Sequence, residues 1–230
     1  MTPAMQDATS AGDAASAASP RRDWAQVIRA RLAGSQPRHA PEQWLVPGRF
    51  EPGGRRGTFP REPVPAAVLI PLVERPELTV LFTQRATGLR NHAGQISFPG
   101  GRIEAGDLSP QAAALREARE EIGLDERFVS VIGYLPDHIV VTGFRITPVV
   151  AFVQPGFELL LAPEEVADTF EVPLDYLFDP GNYRVQRRRS SVTGEEVEFR
   201  EIPFGGRNIW GATAGMLLTL HRVCAGTPLP

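Results

Sequence analysis

Residues 98–124 read FPGGRIEAGDLSPQAAALREAREEIGL: a glycine turn, a helix start, a helix carrying three glutamates, and a glycine stop. Ser109 is a good N-cap, Pro110 suits the first helical position, and Gly123 can take the left-handed conformation that ends a helix. The spacing predicts a helix of about thirteen residues, roughly 20 Å long at 1.5 Å per residue. Leu115, Ala118 and Ile122 fall on one side of it, and Glu117, Glu120 and Glu121 on the other. Such an acidic face has an ordinary explanation as a solvated surface, with Arg116 and Arg119 pairing with the glutamates. The glycines ahead of it argue for more. Gly100 and Gly101 let backbone carbonyls turn toward the helix, and a carbonyl beside clustered carboxylates suits a hard divalent cation, Mg²⁺ or Mn²⁺.

These residues resemble the Nudix box, a glycine, five residues, a glutamate, seven residues, then R-E-U-x-E-E-x-G-U with U aliphatic. Arg116 through Leu124 match the second half, with Ala118 a small occupant of a U position. The first half departs from it: Asp107 stands where the glutamate is expected, and eight residues rather than seven separate it from Arg116. The departure leaves open any role for Asp107 or Glu104.

The segment immediately upstream is similar to one shared by Nudix enzymes that cleave coenzyme A, L-L-T-x-[TR]-[SA]-x3-R-x3-G-x3-F-P-G-G. Leu81, Phe82, Thr83, Gln84, Arg85, Ala86, Arg90, Gly94 and Phe98 to Gly101 fit it, with Phe82 replacing a leucine. The longer spacing inside the box is also expected of that subfamily. The resemblance implies a Nudix-type α/β/α sandwich with a mixed β-sheet. It further implies metals held by Glu117, Glu120, Glu121 and the Gly100 carbonyl, with Arg116 fixing Glu117. One glutamate would serve as general base, Glu117 first, with Glu164 or Glu165 on a loop as the alternative. Arg85 and Arg90 are candidates for binding the 3′-phosphate of coenzyme A, an equal alternative being that each pairs with an acidic residue to hold its loop.

The rest of the chain bounds this reading. It has 230 residues, 42% hydrophobic and 22% charged, ordinary for one sizeable core. A net charge of −3 gives no reason to expect nucleic acid, and all 24 basic residues are arginine. One cysteine, Cys224, excludes an internal disulfide and fits a reducing cytoplasm. No run approaches the roughly 18 apolar residues of a membrane span, and no signal-peptide core is visible. Residues 1–20 read as a disordered tail, and 21–63 as an N-terminal helix (Trp24, Val27, Ile28, Leu32, stop at Gly34) followed by a Pro/Gly-rich connection. The Nudix domain is expected over 64–225. Within it, strands are expected at 64–73, 78–84, 96–98, 129–135 and 146–153, and a hairpin at 183–189 and 196–202 around Thr193-Gly194. The segment 163–178 reads as a loop and a short helix, and 208–223 as a closing helix whose outer surface could make a homodimer. His92 and His138 read as hydrogen-bonded loop residues, the 187–189 arginines as an exposed strand or turn, and Trp24, Trp44 and Trp210 as packing.

Three functions follow. The first is a metal-dependent coenzyme A diphosphatase releasing 4′-phosphopantetheine, or its acyl form, and adenosine 3′,5′-bisphosphate. The second is hydrolysis of another nucleoside diphosphate derivative such as NADH or ADP-ribose. The third is a non-catalytic nucleotide-binding module, against which the intact glutamate face argues.

Overall fold

The run 64–73 is apolar on both of its alternating sides, the pattern of a strand buried on two faces, and in this computed structural model it is the strand on which the fold is built. The structure describes residues 22–37, 63–88, 92–140, 142–189 and 196–227. Arg90, Trp44, the 1–20 tail, most of the Pro/Gly-rich connection and the Thr193-Gly194 turn lie outside the described residues. In chain order the first elements are α1 (Trp24–Leu32), β1 (Val64–Val73), β2 (Thr79–Arg85), β3 (Ile96–Ser97), β4 (Gly100–Arg102) and α2 (Pro110–Ile122). Then come β5 (Val129–Tyr134), β6 (His138–Ile139), β7 (Phe144–Val153), β8 (Val166–Pro173), α3 (Leu174–Phe178), β9 (Arg184–Arg189), β10 (Glu196–Phe204), β11 (Arg207–Trp210) and α4 (Gly211–Ala225).

β1 runs parallel to β7 over its full length, from Val64 opposite Phe144 to Val73 opposite Val153. Its other pairings, with β2 and β4, are antiparallel, so the sheet is mixed. β9, β10 and β11 form a separate three-stranded sheet. Because side chains alternate along a strand, β1 supplies two cores. Ala67, Leu69 and Val73 meet Ala113, Ala114, Ala118 and Ile122 of α2 on one face. Ile70 and Leu72 join Ile28 and Leu32 of α1, Leu177 of α3 and Leu217 and Leu220 of α4 on the other. Helix layers on both faces of a mixed sheet make the expected α/β/α sandwich. Each fully buried Leu, Ile or Phe contributes about 1.5–3 kcal/mol, and cutting Ile70 to alanine should cost about 2–5 kcal/mol.

Three expectations need correction. Residues 166–173 are not loop but strand β8, paired with β2 from Thr79 opposite Pro173 to Arg85 opposite Val166. The acidic residues that obscured it sit on a strand with a partner on one side only. Residues 207–210 are strand β11 rather than the first turn of the closing helix, because Ile209 pairs with Ile202 of β10. His138 and Ile139, expected in a loop, pair with Ile146 and Arg145 as strand β6. The apolar residues Met216, Leu217 and Leu220 of α4 are buried inside the chain.

Candidate active site

Helix α2 starts and stops where its sequence predicts. Ser109 Oγ accepts from the Ala112 N–H at 3.1 Å, Pro110 is the first helical residue, and Gly123 ends the helix at φ 67°. Its sheet-facing residues are small, Ala113, Ala114 and Ala118, which lets it lie close to β1 and β4. The glycine pair is demanded by that closeness. Gly100 has φ 155°, and a Cβ there would strike the Ala67 carbonyl and Val68 of β1. A Cβ on Gly101 would strike the Glu117 carboxylate.

The three glutamates occupy different environments. Glu120 is 60% exposed. Glu117 is partly buried, and its carboxyl is raised chiefly by that burial, against the pull of Arg116. Glu121 is only 4% exposed, which corrects the expectation that all three share a solvent-facing side. Its Oε2 accepts the Gly100 N–H at 3.1 Å, and its Oε1 stands 3.8 Å from Arg85 Nη1. Burial pushes its carboxyl up to about 7 despite both contacts, and the charges of Glu117 and Glu165 push the same way.

Arg116 is the hub. Its Nε and Nη2 fork onto Asp107 at 3.0 and 2.9 Å, Nη1 reaches Glu117 and Glu120 at 3.0 Å each, and Nη2 also donates to the Arg102 carbonyl at 3.0 Å. The guanidinium holds the Asp107 carboxyl below its ordinary value, and the Glu104 N–H donates to it at 2.8 Å. Asp107 therefore belongs to the site's scaffold, a role its displaced position in the box left open. Of the two loop glutamates, Glu165 is the one whose charge acts on both Glu117 and Glu121. Its carbonyl accepts the Ala86 N–H at 2.8 Å, which pins its turn beside Arg85.

Arg85 thus lies at the acidic face, beside Glu121, and its Nε is buried without a hydrogen-bond partner. His92 bonds Gln95 at 2.8 Å, as expected for a loop residue. His138 is fully buried, its Nε2 3.2 Å from Thr219 Oγ1, and burial lowers its pKa to about 4, so it is neutral. Trp24 donates to Asp175 at 2.7 Å and packs on Phe178, and Trp210 lies 5.8 Å from the Phe199 ring.

Among the described residues, no three acidic, histidine or cysteine side chains stand together as a ready metal cage. Glu117 and Glu120 are turned onto Arg116, and Glu121 onto the Gly100 N–H. The donor set nevertheless fits a divalent cation. Glu117 feels the negative charges of Glu120 and Glu165, and Glu121 those of Glu117 and Glu165. The bare glycine edge leaves the Glu117 carboxylate room that any side chain would fill. A hard cation offsets this repulsion, and oxygen donors are what it requires.

Residues 63–191 match the NUDIX domain family. A protein described as an uncharacterized Nudix hydrolase, NudL, from Salmonella paratyphi B is 44% identical over 158 residues, covering 67% of this chain and 80% of the relative. Its counterpart in Salmonella newport gives the same figures. Among solved structures, a MutT/nudix family protein from Enterococcus faecalis aligns at 16% identity and TM-score 0.46, covering 71% of this chain and 63% of its own. A C. elegans Ap4A hydrolase binary complex aligns at 17% and 0.42, covering 48% and 80%. Nudix hydrolases generally need divalent ions such as Mg²⁺ or Mn²⁺. No helix among the described residues is long and apolar enough to cross a membrane. The box sequence, the sandwich that presents it and the family match agree, and the chain belongs to the Nudix family as a hydrolase of a nucleoside diphosphate derivative.

Proposed function

We propose that the chain hydrolyses the diphosphate of coenzyme A or its derivatives, giving 4′-phosphopantetheine or its acyl form and adenosine 3′,5′-bisphosphate. The observation that carries this reading is the segment from Leu81 to Gly101, which matches the coenzyme A signature and ends at the acidic face, with Arg85 3.8 Å from Glu121. Glu117, Glu120, Glu121 and the Gly100 carbonyl are the groups that would hold Mg²⁺ or Mn²⁺. When bound, such an ion neutralises phosphate charge and lowers the pKa of water.

The chain's own side chains have separable tasks in this reading. Arg116, anchored by Asp107, orients Glu117 and bridges it to Glu120, offsetting the charge of both. Glu117 accepts a proton from water at a carboxylate oxygen, and its raised pKa makes it a better base than an ordinary glutamate. Glu165 is the alternative base, near enough to act electrostatically on both helix glutamates. Arg85 lies where a guanidinium can exchange Glu121 for a phosphate oxygen. Arg90, the other signature arginine, is retained as a substrate-binding residue on sequence alone.

The catalytic unit is proposed to span 64–225, because Ile202, Ile209, Leu217 and Leu220 pack into the same core as β1 and β2. A cytoplasmic location is supported by the single buried thiol of Cys224, and a homodimer remains the alternative to a monomer. The test is side-by-side hydrolysis of coenzyme A, dephospho-coenzyme A, NADH and ADP-ribose with Mg²⁺ or Mn²⁺, with products identified by mass. Preference for coenzyme A with release of adenosine 3′,5′-bisphosphate is expected. Preference for NADH or ADP-ribose would discard the coenzyme A assignment, and no turnover of any of the four would bring the binding-module reading forward.

A further inference from the structure

On the three-stranded sheet, Phe204 and Arg207 pair across a two-residue turn, Gly205-Gly206, with φ 53° and 79°. Left-handed backbone at both positions is the hairpin geometry that glycine permits, and the space above both glycines is open. Beneath the turn lie two adjoining clefts of about 600 and 430 Å³ that share Gly206, Arg207 and Asn208. Each falls in the size range of a small-molecule site. The smaller is also lined by Gln84, Gln95 and Trp210. Gln84 directly precedes Arg85, and the Arg85 backbone is fastened to the cleft wall by the Gln95 carbonyl at 2.9 Å and the Gly94 N–H at 3.1 Å. Gln84 and Arg85 face opposite sides of β2, so the cleft lies on the α4 side of the sheet, around the end of the strand from the acidic face, and none of the helix glutamates lines it.

Arg207 is built as an anion receptor. Its guanidinium lies 4.4 Å over the Phe170 ring, which fixes its plane. Nη2 holds Asp168 at 2.5 Å, while Nε is buried with no hydrogen-bond partner. The Asp168 pair is partly exposed, 33% and 47%, so exchange of that carboxylate for a ligand oxygen costs little. A phosphate dianion offers more charge and a bidentate edge.

We propose that this cleft holds the phosphate-bearing nucleoside arm of the substrate, with Arg207 taking its phosphomonoester. The proposal rests on the coenzyme A reading, whose 3′-phosphate requires a cation, and it transfers that task from Arg85, which faces Glu121, to a residue outside both sequence motifs. The test is binding of adenosine 3′,5′-bisphosphate and of 5′-AMP to the full chain in EDTA, by calorimetry, for the wild type, Arg207→Gln and Asp168→Asn. The wild type is expected to bind the bisphosphate at least tenfold more tightly than 5′-AMP, and Arg207→Gln to remove that preference while binding 5′-AMP as before. Asp168→Asn keeps Arg207 and removes its competing carboxylate, so it should tighten bisphosphate binding several-fold, and it serves if the glutamine variant does not fold. A wild type indifferent to the second phosphate, an Arg207→Gln variant that keeps the preference, or unchanged or weaker binding in Asp168→Asn would each overturn the proposal. Coenzyme A hydrolysis by the wild type separates the two claims. Turnover with binding indifferent to Arg207 keeps the substrate and loses the cleft, whereas Arg207-dependent binding without turnover keeps the cleft and loses the substrate.

Discussion

Replacing Glu121 with glutamine should stabilise the metal-free protein at alkaline pH while removing its activity. The folded chain raises this carboxyl from 4.5 to about 7, so between those values the folded state holds a proton that the unfolded chain has released. Stability therefore falls as pH rises through this window, the penalty being nearly absent near 4.5 and complete above 7. At about 1.4 kcal/mol for each factor of ten in acidity, the difference between pH 5 and pH 8 is about 2–3 kcal/mol. Glutamine keeps the shape and an oxygen for the Gly100 N–H but never ionises. Thermal unfolding in EDTA should give a variant that melts roughly 5–10 °C above the wild type at pH 8 and much closer to it at pH 5, from about 2–4 °C per kcal/mol for a chain of this size. Added Mg²⁺ or Mn²⁺ should raise the wild-type midpoint at pH 8 and the variant's far less, and kcat of the variant should drop by orders of magnitude. A variant whose stability relative to wild type is the same at both pH values would refute the burial argument.

The scaffold and the base make further predictions. Asp107→Asn removes the charge that anchors Arg116, and should cost about 1–3 kcal/mol by denaturant unfolding and lower kcat roughly tenfold; because Arg116 holds the Asp107 pKa down, the stability difference should disappear as pH falls below the ordinary carboxylate range. Gly101→Ala should spare the fold and lower kcat by about 10²-fold, since the atoms nearest its Cβ belong to the movable Glu117 carboxylate, whereas Gly100→Ala should unfold or lose several kcal/mol against the backbone of β1. Glu165→Gln should lower kcat tenfold or more and change its acid limb if this residue is the base, while Glu164→Gln stays near wild type; equal effects would assign the proton to Glu117.

Helix α2 was legible because each of its signals is local. Ser109 and Gly123 mark its ends within one turn, and the apolar spacing of Ala118 and Ile122 needs only the helical period. The burial of Glu121 was not legible, because it depends on a strand 20 residues earlier in the chain. Glu121 sits at the edge of the apolar stripe beside Ile122, and it turns inward only because β4 offers two glycines and a free N–H there. Asp107 was obscured by one inserted residue, which shifted its place in the motif while a turn closed by hydrogen bonds between Glu104 and Asp107 kept its carboxylate on Arg116. Strand β8 failed a reading by composition: Asp168 and Glu171 look like loop residues, yet they pair through the backbone with β2 and hold Arg207 and Arg75. Arg207 carried no signal at all, since its partner lies 39 residues away and its setting exists only once the two sheets meet.

Asp107 and Glu121 are carboxyls of one site with opposite electrostatics, and the contrast divides its work. Asp107 receives one full edge of a guanidinium, Nε and Nη2, and a backbone N–H, which keep it ionised and spend Arg116 on holding the helix in place. Glu121 receives one N–H and a guanidinium at 3.8 Å, too little to offset burial and two neighbouring negative charges. If Glu121 were satisfied as Asp107 is, the chain would gain stability but the acidic face would lose its need for a further cation. On the proposed assignment, the missing compensation at Glu121 is what draws in the metal, and the surplus at Asp107 is what lets the fold tolerate it.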